Sequence, residues 1–190
     1  MSKALNLVIV GVGGQGTLLA SRVLGSIAGQ LGLDVKLSEV HGMSQRGGSV
    51  TTCVRMGETV HSPLVEQGGA DFILAFEELE ALRALPYLKK GGSVIVNTQQ
   101  ILPLPVIIGA EKYPEGILTR LRGECETIAL DALPLATKAG NARAVNTVLL
   151  GRLAKSLPHE KALWHRALEE TLPPRFLEAN LKAFEAGYAL

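Results

Sequence analysis

The sequence has few residues of the kinds that hold redox clusters or stack on nucleic-acid bases. It contains two cysteines in 190 residues, Cys53 and Cys125, which are far apart and lack CxxC spacing. An iron–sulfur cluster usually takes about four thiolate ligands, so we expect this chain to hold no cluster by itself. We interpret both cysteines as small core residues. Aromatic residues make up 4% of the chain, which argues against a base-stacking surface for single-stranded nucleic acid.

An excess of one charge and long apolar runs are also missing. The formal net charge is +1 at pH 7, so we expect neither nucleic acid nor an anionic membrane as a partner. No stretch of about 18 apolar residues is present, so we predict no membrane span. The first residues, MSKALNLVIVG, lack a small-residue cleavage site and are not typical of a signal peptide, so we expect a cytoplasmic protein.

The sequence does contain a large apolar fraction and many glycines. Hydrophobic residues make up 47% and charged residues 19% of the chain, as in ordinary globular proteins. This length suffices for one domain with one sizeable core, so we predict a single domain over residues 1–190. Its core is expected at about residues 1–156 and a helical tail at about residues 157–190.

Apolar periodicity predicts alternating strands and helices. The predicted strands are residues 5–10, 34–40, 49–56, a short antiparallel partner of the latter at 59–62, 71–76, 93–97 and 126–130. The predicted helices are residues 14–31, 77–88, 115–122, 146–156, 159–171 and 174–188. The proline-broken run 101–109 is interpreted as an edge or an extended crossing. This order predicts an α/β fold that is Rossmann-like and doubly wound, with a mainly parallel sheet, a β-rich insert and a C-terminal helical tail.

A glycine-rich segment follows the first predicted strand. It satisfies GxGxxG between a strand and a helix, which is the context of a dinucleotide-binding loop, through Gly11, Gly13, Gly14, Gln15 and Gly16. Glycines permit the close approach of a phosphate or of another backbone, and the helix N-terminus offers free N–H groups to an anion. NAD or FAD binding would also use an acid at the end of the second strand, where Glu39 lies. The loop that follows Glu39 would crowd such an adenosine site.

Two further polar segments complete the predicted site. The second segment is a loop a few positions after the second strand, with Ser44, Gln45, Arg46, Gly47 and Gly48. Its arginine presents a planar donor fork suited to phosphate or carboxylate, and we expect it beside the first glycine segment at the carboxyl ends of neighbouring strands. The third segment opens an apolar helix with Asn141 and Asn146, which either cap the backbone or face a ligand.

No catalytic residue or metal site is predicted. The four histidines lack metal-ligand spacing, and His41, the one nearest the glycines, is treated as a hydrogen-bond donor at the site. His159 and His165 are expected to be solvated on the tail. Adjacent acids such as Glu77 and Glu78 are interpreted as solvated helix faces.

Three segments in this order together resemble a known family. They are GVGGQGTLLASRVLG at 11–25, EVHGMSQRGGSV at 39–50 and GNARAVNTVLLGRL at 140–153. As a set they resemble the gamma-type domain of 2-oxoacid:ferredoxin oxidoreductases, and HGMSQRGGSV is typical of the indolepyruvate branch. The resemblance covers roughly residues 5–153, and the tail contributes little to it.

The resemblance implies a subunit that is inactive alone. Such enzymes oxidatively decarboxylate a 2-oxoacid to an acyl-CoA and pass electrons to ferredoxin. A large subunit is expected to carry thiamine diphosphate and the iron–sulfur clusters. This chain is expected to bind no cofactor by itself, to help close the active site, and to meet coenzyme A at the subunit interface. The predicted glycine and polar segments would face the large subunit and its coenzyme.

Two other functions stay open on the sequence alone. One is a stand-alone NAD(P)- or FAD-dependent oxidoreductase, which rests on the GxGxxG segment and Glu39. The other is a non-enzymatic module that binds nucleotides or coenzyme A. Neither the preferred 2-oxoacid nor the stoichiometry of a complex follows from these residues.

Overall fold

The computed structural model describes residues 4–42 and 47–190, which form six strands and eight α-helices. The strands are β1 (Leu5–Val12), β2 (Asp34–His41), β3 (Ser49–Gly57), β4 (Ala70–Ala75), β5 (Leu88–Asn97) and β6 (Glu126–Leu130). The helices are α1 (Thr17–Gln30), α2 (Glu78–Ala84), α3 (Leu104–Ile107), α4 (Ile117–Glu124), α5 (Ala132–Lys138), α6 (Val145–Lys155), α7 (Lys161–Thr171) and α8 (Pro174–Ala189). Short 3₁₀ turns precede β5 at Leu85–Tyr87 and α6 at Ala142–Ala144.

All six strands belong to one sheet, in the order β2-β3-β1-β4-β5-β6. The pairs β1–β4, β4–β5 and β5–β6 are parallel, whereas β3 pairs antiparallel with both β1 and β2. The β-rich insert was predicted after the second strand, at residues 49–62; of it the structure forms β3, which lies between the first two strands of the chain. The predicted α/β class with a mainly parallel sheet is confirmed.

Helices cover both faces of the sheet. Leu7 of β1 belongs to a core shared with α1 and α5 to α8, and Val8 belongs to a second core shared with α2 and α4. Successive side chains of a strand point to opposite faces, so the residues of β1 that lie between the two cores, 7–10, are all apolar. Trp164 of α7 and Phe184 of α8 are buried in the first core, so the tail packs on the same core as the sheet.

Residues 59–62 do not form the short strand expected beside β3. Both edges of β3 are already paired, with β1 on one side and β2 on the other, so a third strand has no place there. Side chains bind this irregular connection instead. The Val60 N–H donates to Asp34 Oδ2 at 3.0 Å, and Arg55 Nη1 donates to the Ser62 carbonyl at 3.0 Å.

Prolines change two other predicted elements. The helix expected over residues 77–88 stops at the 3₁₀ turn that contains Pro86, because proline has no N–H to continue the helical ladder. The run 101–109 is not a strand, since a single helical turn, α3, follows Pro103 within it. On the tail, His165 is partly buried rather than solvated, with Nε2 2.7 Å from Glu185 Oε1.

Helices α6 and α8 approach closely at two glycines. A Cβ added at Gly151 of α6 would collide with the Phe184 carbonyl of α8. A Cβ added at Gly187 of α8 would collide with the Val148 carbonyl of α6. Both obstacles are backbone atoms, which cannot move unless the whole helix moves. The missing side chains therefore fix the position of α8 on α6.

We expect Gly151→Ala and Gly187→Ala each to lower the free energy of unfolding by about 2–3 kcal/mol, because overpacking shifts the backbone. Urea unfolding followed by circular dichroism measures this loss. Gly29→Ala in α1 is the control, since its Cβ would meet nothing within 4 Å among the described residues. That variant should keep its stability or gain up to about 1 kcal/mol. Equal losses in all three variants would contradict the close approach of α6 and α8.

Candidate functional site

The glycine loop, residues 13–16, joins the carboxyl end of β1 to the start of α1. Gly14 and Gly16 have φ angles of 101° and 89°, in the left-handed region that favours glycine. Gly14 is exposed, and a Cβ at this position would meet nothing within 4 Å among the described residues. The backbone at Gly14 is therefore open to the approach of a ligand or of another chain.

The Gln15 side chain turns back to brace this loop. Its Oε1 accepts a hydrogen bond from the Val12 N–H at 2.7 Å. Its Nε2 donates to the Phe76 carbonyl at 3.0 Å and to Gln99 Oε1 at 3.3 Å. Gly11 leaves the room for this amide, since a Cβ there would lie 2.9 Å from Gln15 Oε1. Gln15 thus ties the turn after β1 to the segments that follow β4 and β5.

The second polar segment meets the glycine loop through the backbone. The Gly13 N–H donates to the Gly48 carbonyl at 2.8 Å. The two loops do not follow adjacent parallel strands, as the sequence suggested, because β3 lies between β1 and β2. They meet because β3 begins beside the end of β1, where Val12 pairs with Ser49. The structure describes Gly47 and Gly48 of this segment, whereas Ser44, Gln45 and Arg46 lie outside the described residues.

The third segment reaches the glycine loop from the α6 side. Asn146 is buried, and its Nδ2 donates to the Gly16 carbonyl at 3.3 Å. Its Oδ1 accepts from the Thr147 N–H at 2.9 Å. Asn141 caps the 3₁₀ turn before α6, with Oδ1 accepting from the Arg143 N–H at 3.0 Å. Both asparagines therefore bind backbone groups, and Asn146 joins α6 to the glycine loop.

Glu39 places a carboxylate beside the start of α1. Its Oε2 accepts from Thr17 Oγ1 at 3.3 Å and from Thr52 Oγ1 at 3.0 Å. Glu39 and His41 line a cleft of about 410 Å³ over the glycine loop, which we call the glycine-loop cleft. A negative charge beside a helix N-terminus already uses the attraction that would hold a phosphate there, and it repels a second anion. The cleft is therefore poorly suited to a dinucleotide phosphate.

A second opening lies on the other side of the glycine loop. This amide cleft, of about 390 Å³, is bordered by Gly14, Gln15, Gln99 and Arg143. Its lining contains no acid among the described residues. A cation therefore faces one side of the glycine loop and a carboxylate faces the other, so the two sides attract ligands of opposite charge.

A set of buried acids lies at the start of α2, where the sequence predicted solvated side chains. Glu77 is 1% exposed, with Oε2 accepting from the Glu80 N–H at 2.9 Å and Oε1 accepting from the Tyr113 hydroxyl at 2.5 Å. The interpretation of Glu77 and Glu78 as a solvated pair is therefore wrong. Burial, together with the hydrogen bond to Glu77, raises the pKa of the Tyr113 phenol far above its usual value. One signal of their burial was present in the sequence: these acids follow directly after a predicted buried strand.

The described residues hold neither a metal-binding cluster nor a membrane-crossing helix. In residues 4–42 and 47–190, no three His, Cys, Asp or Glu side chains are placed together as metal ligands. No helix in these ranges has the length and apolar character needed to cross a membrane. Both cysteines are free thiols, with Cys53 buried in β3 and Cys125 partly buried after α4.

Comparison with known proteins identifies the family. The model of the family described as pyruvate ferredoxin/flavodoxin oxidoreductase matches residues 6–190. The chain belongs to this family. The resemblance inferred from the three sequence segments is thereby confirmed, and the match extends over the helical tail as well.

Proteins similar to this chain include separate subunits and a longer chain. The indolepyruvate oxidoreductase subunit IorB of Thermococcus kodakarensis is 42% identical, over 97% of this chain and 95% of that protein. A pyruvate oxidoreductase subunit from Thermotoga maritima has a TM-score of 0.76 at 20% identity, over 99% of this chain and 97% of that chain. A 2-oxoglutarate:ferredoxin oxidoreductase from Magnetococcus marinus has a TM-score of 0.75 at 20% identity, over 100% of this chain and 31% of that chain.

These relatives do not support a stand-alone NAD(P)- or FAD-dependent oxidoreductase. The similar proteins are named as subunits of 2-oxoacid oxidoreductases, or contain this fold as part of a longer chain. The position of Glu39 agrees, because its carboxylate bonds to Thr17 at the helix start where a dinucleotide would place phosphate.

The two left-handed glycines of the loop should differ in their tolerance of a side chain. Gly14→Ala should lower the free energy of unfolding by about 1–2 kcal/mol, the backbone cost of the left-handed region. Gly16→Ala should cost more, about 2–4 kcal/mol, because its Cβ would also displace the buried Asn146 amide. Urea unfolding of both variants measures the difference.

An Asn146→Ala background provides the control for this contact. With the amide gone, Gly16→Ala should cost no more than Gly14→Ala, because only the backbone cost remains. A difference between the two glycines that persists in this background would show that Asn146 is not the obstacle.

Proposed function

We propose that this chain is the small subunit of a 2-oxoacid:ferredoxin oxidoreductase of the indolepyruvate type. The complex oxidatively decarboxylates an arylpyruvate such as indolepyruvate, forms the acyl-CoA and passes electrons to ferredoxin. The observation that carries the proposal is 42% identity to the Thermococcus indolepyruvate oxidoreductase subunit over 97% of this chain. The three polar segments of the candidate site all fall within the family match.

The composition of the chain supports a division of labour between two subunits. Its two cysteines are fewer than the thiolates that an iron–sulfur cluster needs, and Cys53 is buried in β3. We therefore assign the thiamine diphosphate and the iron–sulfur clusters to a large partner subunit, with ferredoxin as the electron acceptor of the complex. This chain shapes the active site and the coenzyme A region, and two cysteines that are not paired in a disulfide fit a cytoplasmic location.

Exposed apolar side chains favour one face for docking to the large subunit. Of the nine large apolar residues of the described chain that are 44–68% exposed, Leu64 and Leu190 lie elsewhere, and the other seven lie at the carboxyl ends of the strands or in the segments that follow them. They form what we call the apolar edge: Leu18, Val40, Leu102, Leu104, Ile107, Ile108 and Leu133. Concentrated apolar exposure of this kind usually marks an interaction surface. The same edge carries the glycine loop.

A longer relative supports docking at this fold. In the Magnetococcus oxidoreductase the matching region is 31% of the chain, so the fold there is covalently joined to further protein. That structure also contains coenzyme A. For this chain we propose that the glycine loop, residues 44–48 and the Asn141–Asn146 segment face the large subunit and coenzyme A. The open backbone at Gly14 and the Arg143 guanidinium beside it fit a phosphate-bearing coenzyme.

Co-expression tests the proposed partnership directly. Tagged chain expressed with its genomic neighbours should retain a large subunit that contains thiamine diphosphate and iron, detected by mass spectrometry and metal analysis. The purified complex should reduce ferredoxin with indolepyruvate and coenzyme A, and the isolated chain should not. Failure to retain any such large subunit would refute the proposal.

A single charge on the apolar edge should weaken this complex. Ile108→Asp should lower the amount of co-purified large subunit at least about 10-fold, because burying an unpaired carboxylate in an interface costs several kcal/mol. Leu64→Asp is the matched control, since Leu64 is 60% exposed against 68% for Ile108 but lies in the connection that leads into β4, away from the carboxyl ends. Quantitative pull-down measures both variants. Equal retention by Ile108→Asp and the unmodified chain would exclude Ile108 from the docking face.

A further inference from the structure

A third cleft lies beside the glycine loop, between the segment before α6 and the start of α8. We call it the arginine cleft, because Arg143 and Arg175 both line it, and its volume is about 540 Å³. Phe176, Asn146 and Asn180 contribute further parts of its wall. Arg143 also borders the amide cleft, so the two openings meet at this one side chain.

The two arginines are exposed and have no acidic partner in the part of the chain that the structure describes. Neither guanidinium lies within 4 Å of a carboxylate there, whereas six other Lys or Arg side chains do form such ion pairs. Arg83 and Arg120 are two of these, so arginines of this chain do pair with acids that lie close by. The described lining of the arginine cleft contains no Asp or Glu. The cleft is therefore a site of uncompensated positive charge.

An aromatic ring contacts one of the two guanidinium groups. The Arg175 guanidinium carbon lies 4.7 Å from the centre of the Phe176 ring, in a cation–π contact. Stacking occupies the face of the guanidinium but leaves its in-plane N–H donors free, and these are the groups that bind phosphate in pairs. Phe176 is itself half-exposed, so the same wall offers apolar surface to an uncharged part of the ligand.

Buried amides make the back wall of the cleft rigid. Asn180 Nδ2 donates to the Phe176 carbonyl at 2.8 Å, and Asn180 Oδ1 accepts from Thr147 Oγ1 at 2.6 Å. Asn146 bonds to the Gly16 carbonyl at 3.3 Å, so the wall is continuous with the glycine loop. Side chains held in this way lose little conformational entropy when a ligand binds.

We propose that the arginine cleft binds a phosphate-bearing ligand, with Arg143 and Arg175 holding its phosphate groups. The charge distribution favours this cleft over the glycine-loop cleft, where the Glu39 carboxylate stands beside the helix start. Arg143 lets such a ligand extend from the arginine cleft along the amide cleft to Gly14. Phosphate-bearing ligands of two kinds fit, coenzyme A and a free nucleotide. Only the choice of coenzyme A rests on the proposed function.

Calorimetric titration tests the site with the full chain and with the co-purified complex. The probes are coenzyme A, ADP and inorganic pyrophosphate, and the variants are Arg143→Gln and Arg175→Gln. Each variant should raise the Kd of a bound probe about 10- to 100-fold, because each removes charge-assisted hydrogen bonds. Arg122→Gln is the matched control, since Arg122 is another exposed arginine, on α4 outside the cleft lining, and should leave the Kd unchanged. The thermal unfolding midpoint without ligand should be the same in all variants.

The results test three claims separately: that the site exists, which ligand occupies it, and whether the proposed function is correct. Tighter binding of coenzyme A than of ADP supports the coenzyme, the reverse supports a free nucleotide, and either result supports the site if both variants weaken it. If no large subunit is retained but a probe still binds to the chain, the missing subunit refutes the oxidoreductase assignment and the binding upholds the site. Absence of binding for all three probes, or a Kd unaffected by Arg143→Gln and Arg175→Gln, would overturn the inference.

Discussion

The hydrogen bond from Asn146 to the Gly16 carbonyl, 3.3 Å long, joins the first loop of the chain to its last helices. It exists because Gly16 has no Cβ, whose place the Asn146 amide takes. The bond fixes the start of α6 against the start of α1. Helix α6 in turn holds α8 through the close approach at Gly151 and Gly187. The position of Arg175, at the start of α8, therefore depends on contacts that begin at the glycine loop.

The antiparallel strand β3 gives this edge of the sheet its charge pattern. It separates β2 from β1, so Glu39 at the end of β2 reaches the helix start across Thr52 of β3. A carboxylate held there stabilises the N-terminus of α1 without any ligand. Positive charge stands on the other side of the glycine loop, at Arg143. The GxGxxG segment thus keeps its Rossmann-like backbone while the charges around it no longer fit a dinucleotide.

Local sequence patterns were enough to predict the central strands and the glycine turn. Apolar runs predicted β1, β4 and β5, because the central residues of a strand that is covered on both faces are apolar. The same reasoning failed for residues 59–62, since a period of two says nothing about which edges of β3 are free. It also failed for Glu77, whose burial depends on a tyrosine 36 positions later in the chain. The motifs marked Gln15 and Asn146 as site residues. Their hydrogen-bond partners could not be predicted, because these come from distant segments of the chain.

The positive charge of Arg143 lies beside the apolar edge, so a partner that docks there affects both. Arg143 and Leu133 line the same amide cleft, and Leu133 belongs to the apolar edge. A partner that covers Leu133 also removes water from the Arg143 guanidinium. Desolvating an unpaired cation is costly, whereas a cation that already holds a phosphate is compensated. A phosphate-bearing ligand in the arginine cleft would therefore favour docking, and docking would favour the ligand by the same free energy, because such coupling is reciprocal.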